Sequence, residues 1–315
     1  MKRILKLLGV LITLILIAAI IINFRGIPSY EVVAIDHQVV STPEQIQKGK
    51  KIVATLCAGC HMNQETGKLT GKLMSDVPKE FGVVYSPNIT QDKEYGIGEW
   101  TDSELILLLR TGIKRDGKYA PPYMAKLPNM ADSDIDAIIS FLKSDNQLVN
   151  ADATPDKACE PSFLTKFLCT VAFKPLPLPL TKLNIPDTAD AIKYGRYLAH
   201  NYDCFSCHSA DFKTVDFLHP TKSDGYFGGG NKPLNQSGQV IVTANLTPDN
   251  ETGIGQWSKD EFIAAVKYGT KKDEQALRYP MIPYTLLTDY EVSCIYDYLQ
   301  TIPPISNNIQ RTYYD

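Results

Sequence analysis

SPNITQDKEYGIGEWTDSELILLLRTG, residues 86–112, returns as TANLTPDNETGIGQWSKDEFIAAVKYG, residues 243–269. The offset is 157 throughout. Asn88 pairs with Asn245, Gly96 with Gly253, Gly98 with Gly255, Trp100 with Trp257 and Gly112 with Gly269. Both tryptophans of the chain lie inside this match. A fixed period of self-similarity marks a chain built from repeated units. PPYMAKLPNMADSDIDAIISFL (121–142) matches RYPMIPYTLLTDYEVSCIYDYL (278–299) at the same offset. A shorter motif also repeats upstream, CAGCH (57–61) and CFSCH (204–208), but at an offset of 147. The second copy therefore carries ten additional residues between its motif and its Asn. The Gly-rich stretch SDGYFGGGNKPLNQSG (223–238), a surface loop by composition, is where they are expected.

Each copy reads as helical. EQIQKGKKIVATL and ADAIKYGRYLAHNY are helix-like runs leading into the cysteines. Thr101 with Glu104, and Ser258 with Glu261, have capping-box spacing ahead of an apolar run. Ile135, Ile138, Ile139 and Leu142 form one apolar face, as do Val292, Ile295, Tyr296 and Leu299. No strand-period alternation of comparable length occurs. The expected fold class is all-α, with two tandem units behind one N-terminal transmembrane helix. The expected boundaries are a membrane anchor at 1–24, a tether at 25–42, a first domain at 43–145, a Pro-rich linker at 146–188, a second domain at 189–303 and a tail at 304–315. The alternating prolines of KPLPLPL favour an extended, semi-rigid connector.

Lys2, Arg3 and Lys6 precede an uncharged run from Leu7 to Phe24. That length suits a membrane span, which takes about 17–25 residues. Ala18 and Ala19 are followed by three isoleucines, a poor cleavage context, so an uncleaved anchor fits better than a signal peptide. The positive flank keeps the N-terminus in the cytoplasm and sends the remainder across the membrane. The chain has 315 residues and a formal charge of −3; without the three N-terminal cations the charge is −6. A nucleic-acid partner, which leaves a basic footprint, is not expected.

Cys-x-x-Cys can be half a zinc site, a redox dithiol or an attachment point. A zinc ribbon needs two such pairs about 15–20 residues apart; here they are 147 apart, in separate copies. A thioredoxin-like dithiol expects a βαβ setting and has no need of the His. Covalent haem attachment, C-x-x-C-H, accounts for every residue. Cys57 and Cys60, and likewise Cys204 and Cys207, would bond the two vinyl groups on one porphyrin edge. His61 and His208 would meet the iron as axial ligands, each with its other ring nitrogen held by an acceptor. The predicted cofactors are two covalently attached c-type haems.

The sixth ligand separates electron transfer from small-molecule chemistry. Met124 falls on Met281 at the repeat offset, whereas Met130 falls on Leu287. Met124 and Met281 are therefore the candidate ligands, and Met130 is read as core. A thioether ligand raises the reduction potential. Asn88, Trp100, Asn245 and Trp257 are placed near the haems, bonding propionate or loop backbone; anchoring a helix start or a turn is the simpler role. His37, His200 and His219 lack partners in the other copy and read as surface or structural, although His219 could reach iron if its loop folded inward. In an oxidising compartment a Cys159–Cys169 bridge is expected. Cys294 reads as a buried small residue, and PSFLTKFL as a short apolar helix packing on one domain.

Each copy resembles a small monohaem cytochrome c domain: helix, C-x-x-C-H, loop, helix, methionine loop, last helix. Gly49 and Gly195, with Phe141 and Tyr298, resemble the crossing of first and last helices in that fold. The string SPNIT…GIGEW is similar to the haem domains of membrane-bound cytochrome c subunits that serve periplasmic alcohol and gluconate dehydrogenases. Those subunits commonly have three haem domains; this chain has two such motifs. The resemblance implies a membrane-anchored dihaem cytochrome c in the periplasm that relays electrons from a donor dehydrogenase to a respiratory acceptor. It implies redox protein partners, no small-molecule substrate and no catalytic residue. The alternative, a dihaem peroxidase-like enzyme or a haem-based redox or gas sensor, requires an open or displaceable axial position.

Overall fold

The computed structural model describes residues 1–272 and 276–310. Helix α1 (Lys2–Arg25) contains an 18-residue stretch with a mean hydropathy of 2.9 and is long and apolar enough to cross a membrane; none of its residues is buried. The first copy supplies α2 (Pro43–Leu56), the single-turn α3 (Ala58–His61), α4 (Asp102–Thr111) and α5 (Asp132–Leu142). The segment that follows carries α6 (Phe163–Val171). The second copy supplies α7 (Ala191–Asn201), α8 (Cys204–His208), α9 (Lys259–Ile263) and α10 (Asp289–Leu299).

The helix ends follow the local sequence. Thr101–Glu104 and Ser258–Glu261 both form reciprocal capping boxes, and Gly112 and Gly269 close their helices in the left-handed conformation at φ 83° and 77°. Between α9 and Gly269 the second copy winds into a π-helix over Ala264–Tyr268, where the first copy stays α-helical.

In each copy the first helix crosses the last, α2 on α5 and α7 on α10. The crossings are tight enough to demand glycine. A Cβ on Gly49 would lie 1.8 Å from the Ala137 carbonyl oxygen, and one on Gly195 would lie 1.8 Å from that of Cys294. Apolar side chains from both copies form one continuous core that includes Val53, Ile138, Phe141, Leu198, Ile295 and Leu299.

The two helix pairs also meet each other in a matched network. Within the first copy Lys48 on α2 pairs with Asp134 on α5; at the same places in the second copy the Tyr194 hydroxyl donates to Glu291 at 3.3 Å. Across the copies, Lys51 on α2 donates to Glu291 at 2.5 Å, and the Tyr197 hydroxyl on α7 donates to Asp134 at 2.5 Å. Each acidic side chain is thus bonded to the first helix of its own copy and to that of the other. Such reciprocity is the signature of a local two-fold relation. Asp134 and Glu291 are 5% and 6% exposed, so the network holds its two carboxylates largely out of water, where paired groups matter most.

Three expectations need correction. The chain is helix-rich but not purely all-α: β1 (Gly82–Val83) pairs antiparallel with β2 (Glu160–Pro161). The extended segment after the first copy supplies backbone partners for the loop that carries β1. That segment is bonded to the first copy further along as well. Asp132 N–H donates to Leu183 O at 2.9 Å, and Leu176 N–H to Thr111 O at 3.2 Å. The stretch after α1 is likewise tied down, with Tyr30 N–H bonded to Gly117 O and Ile35 N–H to Ser103 Oγ. Cys159 and Cys169 are unbridged: Cys159 is exposed, with its thiol on the Tyr85 carbonyl, while Cys169 is buried on the inner face of α6. Finally, the additional residues of the second copy fall earlier than 223–238. Gly71 follows His61 by 10 residues and Gly229 follows His208 by 21, and both glycines make the same bond described below. The insertion therefore lies within 209–228, as two short 3-10 turns (Phe212–Thr214 and Pro220–Lys222) rather than in the glycine run.

Candidate functional site

Helix α2 delivers Cys57, Cys60 and His61 on the following turn, and α7 delivers Cys204, Cys207 and His208 on α8. His61 is 8% exposed, and its Nδ1 lies 2.9 Å from the Pro87 carbonyl oxygen. His208 Nδ1 lies 2.8 Å from the Ala244 carbonyl oxygen. Pro87 and Ala244 are related by the repeat offset of 157. A carbonyl only accepts, so in both rings Nδ1 carries the proton and donates. Nε2 is left as a lone-pair donor, the tautomer that a metal-ligating imidazole needs. Burial pushes both imidazoles down, toward the neutral form.

The backbone oxygen of each histidine is also held. Gly71 N–H donates to His61 O at 2.9 Å, and Gly229 N–H to His208 O at 2.8 Å. Gly71 and Gly229 have φ of 80° and 69°, and a Cβ at either would strike the segment that carries the acceptor carbonyl, 2.1 Å from Ser86 O or 2.5 Å from Ala244 C. Only glycine fits there. Sequence reading missed this pair, because the insertion hides its register. A glycine shortly before each Asn-containing repeat was the available signal.

Burial pushes the thiols of Cys57, Cys204 and Cys207 up to about 12, and burial with the nearby Asp76 raises Cys60. A neutral thiol becomes a thioether without gaining or losing charge, whereas a zinc site needs thiolates. Among the described residues no group of three His, Cys, Asp or Glu side chains converges to hold a metal ion. The donor set of each copy, two neutral thiols and one Nδ1-anchored imidazole, fits a covalently held haem.

Asn88 and Asn245 are committed to loop backbone. Asn88 Oδ1 accepts from the backbone and hydroxyl of Thr90, while its Nδ2 donates to Asp152 O and Thr154 O. Asn245 Oδ1 accepts from the same two groups of Thr247, while its Nδ2 donates to Ile305 O and Thr252 Oγ1. Each amide clips the segment leaving its copy onto the loop that follows the histidine's acceptor. Trp100 and Trp257 start α4 and α9 with backbone bonds to Ile97 O and Ile254 O. The Arg115 guanidinium lies 5.7 Å over the Trp100 ring. Among the described residues neither indole N–H has a hydrogen-bond partner.

Met124 and Met281 occupy equivalent turns. Met124 N–H bonds Pro121 O at 3.1 Å and Met281 N–H bonds Arg278 O at 3.0 Å. Three residues on, Leu127 and Tyr284 tie the loops to Leu109 O and Val266 O, each at 2.8 Å. Tyr284 also sits beside the second Cys-x-x-Cys turn: burial first, then Cys204 and Cys207, push its hydroxyl up. Met130 is 2% exposed in the core, matching Leu287 at 1%.

The three other histidines are structural or superficial. His37 bonds Asp136 at 2.8 Å, His219 is exposed beside Asp216, and His200 sits among Phe205, Tyr226 and Tyr298.

Loops of one copy reach residues that flank the Cys-x-x-Cys-His turn of the other. Tyr279, two residues before Met281, donates to Asp76 of the first copy at 2.6 Å. Asn129, in the first copy's methionine loop, donates to Phe217 O and Leu218 O of the insertion. Phe217 in turn packs edge-on against Phe205, inside the second Cys-x-x-Cys, with ring centroids 5.7 Å apart.

Residues 46–145 match the cytochrome c family. The alcohol dehydrogenase (quinone) cytochrome c subunit of Gluconacetobacter polyoxogenes is 28% identical over 283 residues, 86% of this chain and 58% of that protein. The fructose dehydrogenase cytochrome subunit of Gluconobacter japonicus is 27% identical over 80% of this chain and 51% of its own length. The gluconate 2-dehydrogenase cytochrome c subunit of Pantoea cypripedii is 34% identical over 36% of this chain and 24% of its own length. The chain spans about half the length of the curated relatives it matches over most of its own. It contains a cytochrome c domain and is a relative of the cytochrome c subunits of quinone alcohol, fructose and gluconate dehydrogenases.

Proposed function

We propose that the chain is a membrane-anchored dihaem cytochrome c with two tandem cytochrome c-like domains, passing electrons from a dehydrogenase partner to a respiratory acceptor on the periplasmic side. Cys57 and Cys60 hold one haem and Cys204 and Cys207 the other. His61 and His208, with Met124 and Met281, would supply the iron ligands. One observation carries this reading. Both histidines are anchored through Nδ1 to carbonyls related by the same offset that relates the two methionines.

The haem supplies a one-electron couple. The chain's own residues do the rest. Pro87 and Ala244 hold the imidazole tautomer, while Gly71 and Gly229 hold the histidine backbone. The shared core and the Lys51–Glu291 and Tyr197–Asp134 bonds fix the two sites relative to each other, so that transfer between them needs no domain motion. The contacts of Tyr279 with Asp76, and of Asn129 with the insertion beside Phe205, bring each methionine loop toward the other domain's attachment turn.

An absorption spectrum of the purified protein, with and without carbon monoxide, tests the ligand set. Low-spin haems with a sulfur–iron charge-transfer band and no response to carbon monoxide are expected. A high-spin haem that binds carbon monoxide in the untreated protein would contradict the relay and favour a peroxidase or sensor.

A further inference from the structure

Helix α6 is amphipathic in an inverted sense. Thr165 and Cys169 point inward and are buried. The opposite face carries Phe163, Leu164, Phe167 and Val171, which are 45%, 40%, 39% and 53% exposed. At 100° per residue these four share one face about a third of a turn wide. The two Phe rings stack on it at 6.2 Å. A contiguous exposed apolar face of this kind marks a surface built to be covered.

Its position says by what. Lys166, on the flank of α6, donates through Nζ to the Asn23 carbonyl at 3.2 Å and to Asn23 Oδ1 at 3.0 Å. Asn23 lies in the last turn of α1, where the apolar helix ends. The contact is reinforced beyond α1. Tyr30 is bonded through its N–H to Gly117, packs edge-on against Tyr119 and lies within electrostatic reach of Cys169 on the inner face of α6. Helix α6 is therefore held at the level where α1 leaves the bilayer, with its polar and buried side on the first domain. A helix with Phe and Leu on one face and Lys at its edge is the kind that lies in the headgroup–acyl boundary, with the ammonium groups reaching to the phosphates. Lys166 and Lys174 supply those cations.

We propose that α6 is an interfacial membrane helix, embedding Phe163, Leu164, Phe167 and Val171 in the outer leaflet beside α1 and setting the orientation of the haem domains over the membrane. The inference rests on α1 being a membrane anchor. A single transmembrane helix leaves a domain free to pivot; a second, lateral contact removes that freedom and presents a constant face to partners.

The test uses the full-length haem-loaded protein in vesicles of phosphatidylethanolamine and phosphatidylglycerol. A nitroxide is placed at Leu164→Cys in a Cys159→Ser background, with Lys213→Cys as an exposed control. The label at position 164 should be several-fold less accessible than the control to an aqueous nickel chelate and more accessible to oxygen. Equal nickel accessibility at both positions in protein that stays with the vesicles would overturn the proposal. So would protection that arises only when a dehydrogenase partner is added, since protein and not lipid would then cover the face. An alkaline carbonate wash reads α1 separately. Protein that washes off contradicts the anchor reading, whereas retained protein with a nickel-accessible label contradicts the α6 proposal alone.

Discussion

The two copies hold their histidines alike and brace their methionine loops differently. In the first, Arg110 is 2% exposed and donates to Leu127 O, Pro128 O and Met130 O and to Asp132. At the same place in the second, Lys267 pairs with Asp289, the counterpart of Asp132, from the flank of a π-helix. Lys126 fills the space under the first methionine turn, donating to Ala120 O, Pro121 O and Met124 O; Pro283 stands at its equivalent. In α7 the second copy has His200 bonded to Tyr226, which meets Tyr298, where the first has Ala54 and Phe141. The bonds that hold the two histidines are thus repeated, while the scaffold behind them has diverged. A duplicated site can keep one cofactor geometry and still differ in how rigidly its distal loop is held.

Four experiments would break or sharpen this comparison. The largest effect is on the cofactor. Removing both cysteines of one motif, Cys57→Ala with Cys60→Ala or Cys204→Ala with Cys207→Ala, should leave one haem per chain in either case, read by haem staining against protein. Next is Arg110→Met, which strands three buried carbonyls and the Asp132 carboxylate. It should cost about 4 kcal/mol in denaturant unfolding and weaken the sulfur–iron band of the first haem. Lys267→Met should shift the midpoint far less, because its ion pair is with Asp289, whose carboxylate is exposed to solvent.

The third test is pH. Burial, with Arg196 nearby, pushes His200 down to about 4 from its ordinary 6.5. The folded protein then binds fewer protons than the unfolded chain between those values. Stability from a neutral His200 is present above about 6.5 and lost as pH falls to 4. The loss is on the order of 3 kcal/mol; buried Asp203, raised to about 7, acts in the opposite sense over the same window, so the difference in melting temperature between the protein and His200→Gln is what reads it. His200→Gln should remove that loss, since the first copy has no equivalent group. The smallest effect belongs to the interface. Tyr197→Phe removes a bond to Asp134 and another from Ala131 N–H, and should lower stability by about 1–2 kcal/mol without changing either haem spectrum.

Much of this was legible in the chain. The capping boxes at Thr101 and Ser258 and the core placement of Met130 followed from spacing, and the crossing glycines Gly49 and Gly195 from the resemblance to cytochrome c domains. The histidines' need of an acceptor was also legible, but Pro87 and Ala244 were not, because a backbone carbonyl is independent of the side chain beside it. The side-chain amides of Asn88 and Asn245 drew attention instead, and they bond the loops. Composition placed the insertion in a glycine run. The structure places it earlier, because Gly229 is fixed by its bond to His208. Arg110 and the reciprocal Asp134–Glu291 network were invisible for a common reason. Charged residues read as surface until two helix pairs bury them against each other.

The central claim is that a duplicated site holds two haems, one per copy. Mass spectrometry of the intact, denatured and reduced full-length chain tests it most directly. The account predicts a single species carrying the mass of two covalently bound haems. A chain carrying one haem, or none after denaturation, would contradict it.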